Sequence, residues 1–143
     1  MNRGAWIGKS RKSNKPWGFE IAWSGIFRGK EIHLNEGCRT SLKFNKQKSE
    51  MLYVQAGKVH VEFADEAHFA KPDANPARTA VLKPGSLLNV QAGCPYRLSA
   101  LENSIVFEIS DVKFGDDRVI IDDDYGRKNV AESSKWIFKP SED

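Results

Sequence analysis

A chain of 143 residues, 40% hydrophobic and 29% charged, is long enough to bury one core without disulfides or structural metals and has the composition of an ordinary globular domain. Its net charge of +3 comes from acids and bases mixed along the chain, which argues against the clustered basic face of a nucleic-acid binder. It contains no apolar run of about 18 residues, so no helix is expected to span a membrane.

In chain order, Arg3, Lys9, Arg11 and Lys12 fall in a stretch without acids, which predicts a basic, mobile arm over residues 1–14. The main domain is expected over 15–128 and a tail over 129–143. Within the domain, residues 25–34, 39–45, 51–56, 58–63, 79–83, 87–90, 95–101 and 104–110 read as strands, from alternating or β-rich texture broken by Gly, Pro, Asn and Asp. Gln55-Ala56-Gly57-Lys58 reads as a tight hairpin turn and Lys83-Pro84-Gly85-Ser86 as a second turn. Residues 65–78, with Pro72 and Pro76, predict a surface loop. Helical periodicity is confined to a turn or two at 131–137. Many short strands at regular spacing predict an all-β sandwich or barrel. Cys38 and Cys94, with no apolar leader after Met1, predict two reduced thiols in a cytoplasmic protein.

Alternation sorts the side chains by face. In 39–45 the odd positions Arg39, Ser41, Lys43 and Asn45 share one side, and Thr40, Leu42 and Phe44 the other. Glu50 groups with Leu52 and Val54, and Tyr96 with Leu98 and Ala100. If the polar set faces inward, the interior is a ligand pocket, apolar at depth and polar near its mouth. If it faces outward, these are solvated strand residues. Periodicity alone leaves both open.

Two spaced frames bear on that choice. Gly37 is followed after five residues by Lys43-Phe44-Asn45, after four more by Glu50 and after six more by Gly57. Gly85, Gln91, Gly93, Tyr96 and Ala100 form a second frame. These resemble the two motifs of the cupin superfamily, with Lys43 and Asn45 where its first motif carries two histidines, and with Gln91, Tyr96 and Ala100 in place of its second motif's Pro, His and Asn. Lys15-Pro16-Trp17-Gly18, Arg39-Thr40-Ser41-Leu42, Gly93-Cys94-Pro95-Tyr96-Arg97-Leu98 and Asp123-Asp124-Tyr125-Gly126-Arg127 are similar to segments of the type II mannose-6-phosphate isomerase cupin domain. The resemblance implies an all-β fold, a single cupin (jelly-roll-like) β-barrel.

It also implies where a metal would sit. The family's ligand positions map onto Lys43, Asn45, Glu50 and Tyr96, and only Glu50 is a good ligand. An ammonium, an amide, a phenol and one carboxylate do not make a zinc site, so no metal ligands and no cofactor are expected. Three readings of the position remain. In the first, Lys43 neutralises a remnant Glu50, leaving an interaction module with a vestigial pocket. In the second, Arg39, Ser41, Lys43, Asn45, Glu50 and Tyr96 bind a small polar ligand, a sugar or sugar phosphate, with Trp17 or Tyr53 at the mouth. In the third, Glu50 with a pKa raised by burial is the base, Lys43 the electrophile and Tyr96 the proton relay of a metal-independent sugar-phosphate isomerase or epimerase.

Arg97, opposite in parity to Tyr96, is expected to pair outside the pocket. His33, His60 and His68 read as isolated strand or loop residues. The run Asp122-Asp123-Asp124 reads as a solvated turn, with Asp124 and Arg127 available to close over the barrel. Leu42 and Phe44, expected on the outer face, predict a homodimer in which a partner covers them. No nucleic acid or membrane partner is expected.

Overall fold

The computed structural model of the protein describes residues 2–111 and 115–126. Eleven strands and one short 3-10 turn make up two antiparallel sheets packed face to face. The strands are β1 (Arg11–Lys15), β2 (Gly18–Ser24), β3 (Arg28–Leu34), β4 (Leu42–Asn45), β5 (Glu50–Ala56), β6 (Val59–Phe63), β7 (Arg78–Leu82), β8 (Leu87–Val90), β9 (Tyr96–Ala100), β10 (Ser104–Ser110) and β11 (Arg118–Asp122). One sheet runs in the order β1-β2-β3-β10-β5-β8 and the other β11-β4-β9-β6-β7. The all-β, jelly-roll-like expectation holds. Among the described strands, however, the two sheets are not hydrogen-bonded into a closed barrel.

The interior follows from strand parity. Ile32 and Leu34 of β3, Leu52 and Val54 of β5, Val90 of β8 and Val106 of β10 face Val59 and Val61 of β6 and Tyr96, Leu98 and Ala100 of β9, with Trp17 beside them. Along β5 and β10 the buried residues alternate with half-buried or exposed neighbours, the period of two expected where one face of a sheet is buried.

Four glycines of the two frames, Gly37, Gly57, Gly85 and Gly93, have φ of 81°, 89°, 95° and 84°. Gly57 is the most constrained, because a Cβ there would collide with the Ser104 hydroxyl and the Asn103 carbonyl. Its turn does not form the expected hairpin. It carries the chain from β5 in one sheet to β6 in the other, and the turn at Gly85 likewise takes β7 to β8 across the sandwich.

Several expectations shift. Arg11–Asn14, assigned to the basic arm, are paired to β2 as part of an edge strand. β2 and β11 are strands that texture alone did not predict. Within 65–78, Glu66–His68 form a 3-10 turn, and His68 is fully buried with its Nδ1 2.7 Å from the Asn75 carbonyl. Leu42 is 1% exposed within the single chain, and Phe44 packs on Phe69 with ring centroids 5.4 Å apart. A partner strand is therefore not needed to cover either of them. Cys38 and Cys94 are free thiols packed against the core. The turns expected at 131–137, the tail and Arg127 lie outside the described residues. No helix among the described residues is long and apolar enough to cross a membrane.

Candidate functional site

The inner surface of the larger sheet carries a row of charge at one end of the core. Glu20 on β2, Lys30 on β3, Glu108 on β10 and Glu50 on β5 all stand at inward positions, because the ladders pair Ala22 with Lys30, Lys30 with Glu108 and Ser110 with Glu50. Lys15 on β1 extends the row at one end, and Lys43 on β4 of the facing sheet closes it at the other. Lys15 Nζ lies 3.6 Å from Glu20, Lys30 Nζ 3.3 Å from Glu20 and 3.6 Å from Glu108. Three lysines thus stand among three glutamates, a balance that lets charge lie inside the sandwich at all.

Glu50 is the best-held member. Asn45 Nδ2 donates to its Oε1 at 2.7 Å and the Tyr96 hydroxyl donates to the same oxygen at 2.8 Å. Lys43 Nζ lies 4.6 Å from the centre of the Tyr96 ring, which is 1% exposed. Lys43 and Tyr96 are cross-strand partners. The four positions of the two frames do converge.

The site's electrostatics differ from expectation. Burial pushes the Glu50 carboxyl up, but Lys43 and the hydrogen bonds from Glu108 and Tyr96 outweigh it, so its pKa lies below the ordinary value rather than above. The raised carboxyl is Glu108. Burial, the adjacent Glu50 charge and the hydrogen bond to Glu50 push it to about 7, against the pull of Lys30 and Lys43. Burial lowers Lys43 to about 8 against the pull of Glu50. Burial and then Glu50 drive the Tyr96 phenol well above its usual value. Lys30 moves the other way: burial lowers it, but Glu108, Glu20 and Glu50 together leave it raised. Glu50 and Glu108 are a hydrogen-bonded carboxyl pair that near neutral pH shares one proton.

A divalent metal does not fit this donor set. Glu50 already accepts two hydrogen bonds at one oxygen, the Lys43 ammonium stands beside it, and the phenol is held in its neutral form. The described residues include no group of three or more His, Cys, Asp or Glu side chains placed to hold a metal ion.

Of the expected ligand contacts, Ser41, Lys43 and Tyr96 line a cavity of about 40 Å³ between the sheets, with Asn45 and Glu50 behind them. That is room for a few waters at most and far below the roughly 300 Å³ of a small-molecule site. Arg39 is not in the cavity. It pairs with Ser99, whereas Lys43 pairs with Tyr96, so the register slips by one residue between them. A bulge of that kind turns the intervening residues, and Arg39 ends on the opposite face from Lys43 despite equal parity. There it grips Asp124 with Nε and Nη2 at 2.5 and 2.7 Å, and Tyr125 donates to its carbonyl at 3.1 Å. Arg97 is on that outer face as expected, donating to the Thr40 carbonyl at 2.9 Å and to Asp122 at 3.1 Å. Two acids of the 122–124 run are therefore engaged by arginines. Tyr53 lies on the outer face against Phe107, not at the mouth, and Trp17 is 5% exposed within the core. His33 stacks outside on Phe19, and His60 sits between the buried Val59 and Val61.

Glu20, Lys30 and Glu108 line the small cavity and also the floor of a larger basin of about 310 Å³. Lys9, Arg11, Arg28 and Lys48 surround that basin, with Trp23 at its side. None of these was expected as a contact from the sequence. Glu108 was hidden because the apolar set of β10, Ile105, Phe107 and Ile109, is the outer one, and Glu108 shares parity with Ser104, Val106 and Ser110. Lys9 and Arg11 were legible only as a solvated arm.

No protein-family model matches the sequence, and no curated protein matches it. Solved structures do. An oxalate decarboxylase from Lactobacillus farciminis in its formate complex aligns with TM-score 0.61 and 18% identity over 80% of this chain and 36% of its own. The capsular polysaccharide assembling protein CapF from Staphylococcus aureus aligns with TM-score 0.63 and 9% identity over 78% and 34%. Vicilin from hazelnut, Corylus avellana, aligns with TM-score 0.65 and 16% identity over 80% and 33%. The chain spans about a third of the length of each. These are cupin-fold proteins, and the fold of this chain is a cupin fold.

Proposed function

We propose that this protein binds a small anionic ligand of the sugar-phosphate class in the basin at the open end of the sandwich, without a catalytic metal. One observation carries the reading. Five cationic side chains, Lys9, Arg11, Arg28, Lys30 and Lys48, line a single basin of about 310 Å³ whose acids are Glu20 and Glu108, both already paired to Lys30. That volume falls in the range of small-molecule sites, and the excess positive charge calls for an anion. The floor groups Glu20, Lys30 and Glu108 offer donors and acceptors for hydroxyls. Glu50, Asn45 and Tyr96 then act behind the floor, fixing Glu108, rather than touching the ligand. The resemblance to the type II mannose-6-phosphate isomerase cupin domain supports the same ligand class.

Thermal-shift and calorimetric titration with mannose 6-phosphate, glucose 6-phosphate and unphosphorylated mannose tests it. The phosphorylated sugars are expected to stabilise the protein, mannose is not, and Arg28→Ala is expected to weaken the response. Flat responses to every phosphorylated sugar would overturn the reading and favour an interaction module.

A second reading, isomerisation, is favoured by the carboxyl pair. Moving a proton between carbons beside a carbonyl needs a group that both accepts and donates near neutral pH, and Glu108 at about 7 meets this where Glu50 does not. Glu108 would take the proton from one carbon and return it to the next, the hydroxyl proton would pass to the former carbonyl oxygen, and Lys30 would hydrogen-bond the enediolate oxygens between the two transfers. Turnover of mannose 6-phosphate that disappears in Glu108→Gln, with binding retained, is the expected signature. Binding without turnover would leave the protein a binder alone.

A further inference from the structure

The basin continues beyond its rim. Lys9, Trp23 and Ser24 line it and also line an open groove of about 530 Å³ formed by residues 4–9 and the β2–β3 turn. The groove's walls are aromatic and apolar, chiefly Trp6, Trp23, Ile26 and Phe27, and the residues lining it include no acid. Trp6 and Phe27 are 65% and 73% exposed. Trp23 is held in place by its cross-strand partner Gly29, where a Cβ would fall 2.6 Å from the indole ring. The missing side chain lets the indole lie over β3 on the outer face of the sheet, so groove and basin meet around the end of the β2–β3 hairpin at Lys9, Trp23 and Ser24.

We propose that basin and groove form one extended site and that its ligand is a nucleoside diphosphate sugar. This deepens the sugar-phosphate reading and rests on it. The base stacks in the Trp6–Trp23 groove, the diphosphate meets Lys9, Arg11 and Arg28, and the sugar lies over Glu20, Lys30 and Glu108. A hexose phosphate alone occupies the basin and leaves the adjoining aromatic groove unused. An aromatic base uses both, because its flat face pairs with indole faces while its phosphates reach the cations next to them. An acyl chain would call for an enclosed aliphatic channel, and this groove is open and walled by rings.

Isothermal titration of the full chain with uridine diphosphate, guanosine diphosphate, a nucleoside diphosphate hexose such as UDP-glucose, and pyrophosphate reads this directly. Nucleoside diphosphates are expected to bind about tenfold tighter than pyrophosphate, the scale of one stacked base. Trp6→Ala, at an exposed position, removes that advantage and leaves pyrophosphate affinity unchanged. Trp23→Phe keeps a ring over Gly29 and retains part of it. Equal affinities for pyrophosphate and nucleotides, or a nucleotide preference that survives Trp6→Ala, would overturn the proposal. So would sedimentation with anionic phosphatidylglycerol vesicles that Trp6→Ala abolishes while nucleotides bind no better than pyrophosphate. Hexose phosphate binding without nucleotide preference defeats this inference alone. Failure of every phosphate compound defeats the basin reading as well.

Discussion

Glu108 keeps its proton to about pH 7 in the folded chain and loses it near the ordinary carboxyl value of 4.5 once unfolded. The folded state therefore binds more protons than the unfolded state between those two values. The stability this contributes is complete below about 4.5 and is lost as pH rises through about 7. Glu108→Gln keeps a donor toward Glu50 and removes the titration, so the difference in Tm between variant and parent should be small near pH 5 and favour the variant near pH 8. At roughly 1.4 kcal/mol per pKa unit the gain has an upper bound of about 3 kcal/mol. A pH series of thermal melts measures it, and parallel curves for the two proteins would show that Glu108 does not titrate in this window. The electrostatic coupling of Lys43 and Glu50 makes a second claim at this scale. Removing one partner leaves the other buried and unmatched, so Lys43→Met alone should cost about 3 kcal/mol at neutral pH, as should Glu50→Gln alone. The double variant carries neither charge and should regain most of the loss. Denaturant titrations of the four proteins give the coupling, and strictly additive losses would mean that the two groups do not interact.

At the level of turns and strands, the frame glycines separate two costs that are often confounded. Gly85 has φ of 95° with nothing within 4 Å of where a Cβ would stand, whereas Gly57 at 89° faces Ser104 and Asn103 directly. Gly85→Ala should lose only the backbone strain, about 1 kcal/mol, and Gly57→Ala that strain plus a steric displacement of β10, at least about 2 kcal/mol more. Urea unfolding of both variants checks the order. These glycines were legible because turn chemistry is local, and so were most strand positions, because parity is local. Which sheet each strand joins was not, since a turn that reads as a hairpin can equally cross a sandwich. Parity also misled where the register slips. Arg39 and Lys43 share it in sequence, and the slip between them sends Arg39 to Asp124 on the outside. β2 shows the converse trap. Its apolar set Phe19, Ile21 and Trp23 points away from the core, with Phe19 stacked on His33 at 4.1 Å, while Glu20 points in. Apolar residues mark the inner face only when the inner face is apolar, and at the charged end of this sandwich it is not. The cluster at Lys43, Asn45, Glu50 and Tyr96 was found from motif spacing, and Glu108, Lys30 and Glu20 were missed because no motif position names them.

For the molecule as a whole, the net charge of +3 says little, because its effect depends on where the charge stands. Lys43 stands at the inner end of the charged row, balanced by the charges of Glu50 and Glu108. The cations Lys9 and Arg11 stand at the exposed rim of the basin. These two populations should differ in their response to salt. Mobile ions screen exposed charges over a Debye length of roughly 10 Å at 0.1 M and about 3 Å at 1 M, and they do not enter a cavity of about 40 Å³ between packed sheets. Raising the salt concentration from about 0.05 M to about 0.5 M should therefore weaken binding of a phosphorylated sugar roughly tenfold, through loss of long-range attraction to the rim. The coupling between Lys43 and Glu50 should change little over the same range, because a cavity of about 40 Å³ is too small to admit the ionic atmosphere that screens exposed charges. The two measurements use one protein and one set of buffers, titration calorimetry for the ligand and the double-variant cycle for the pair. Salt-independent binding of a phosphorylated sugar would move the ligand away from the basic basin and toward an uncharged surface. A pair coupling that falls with salt would mean that mobile ions reach Lys43 and Glu50.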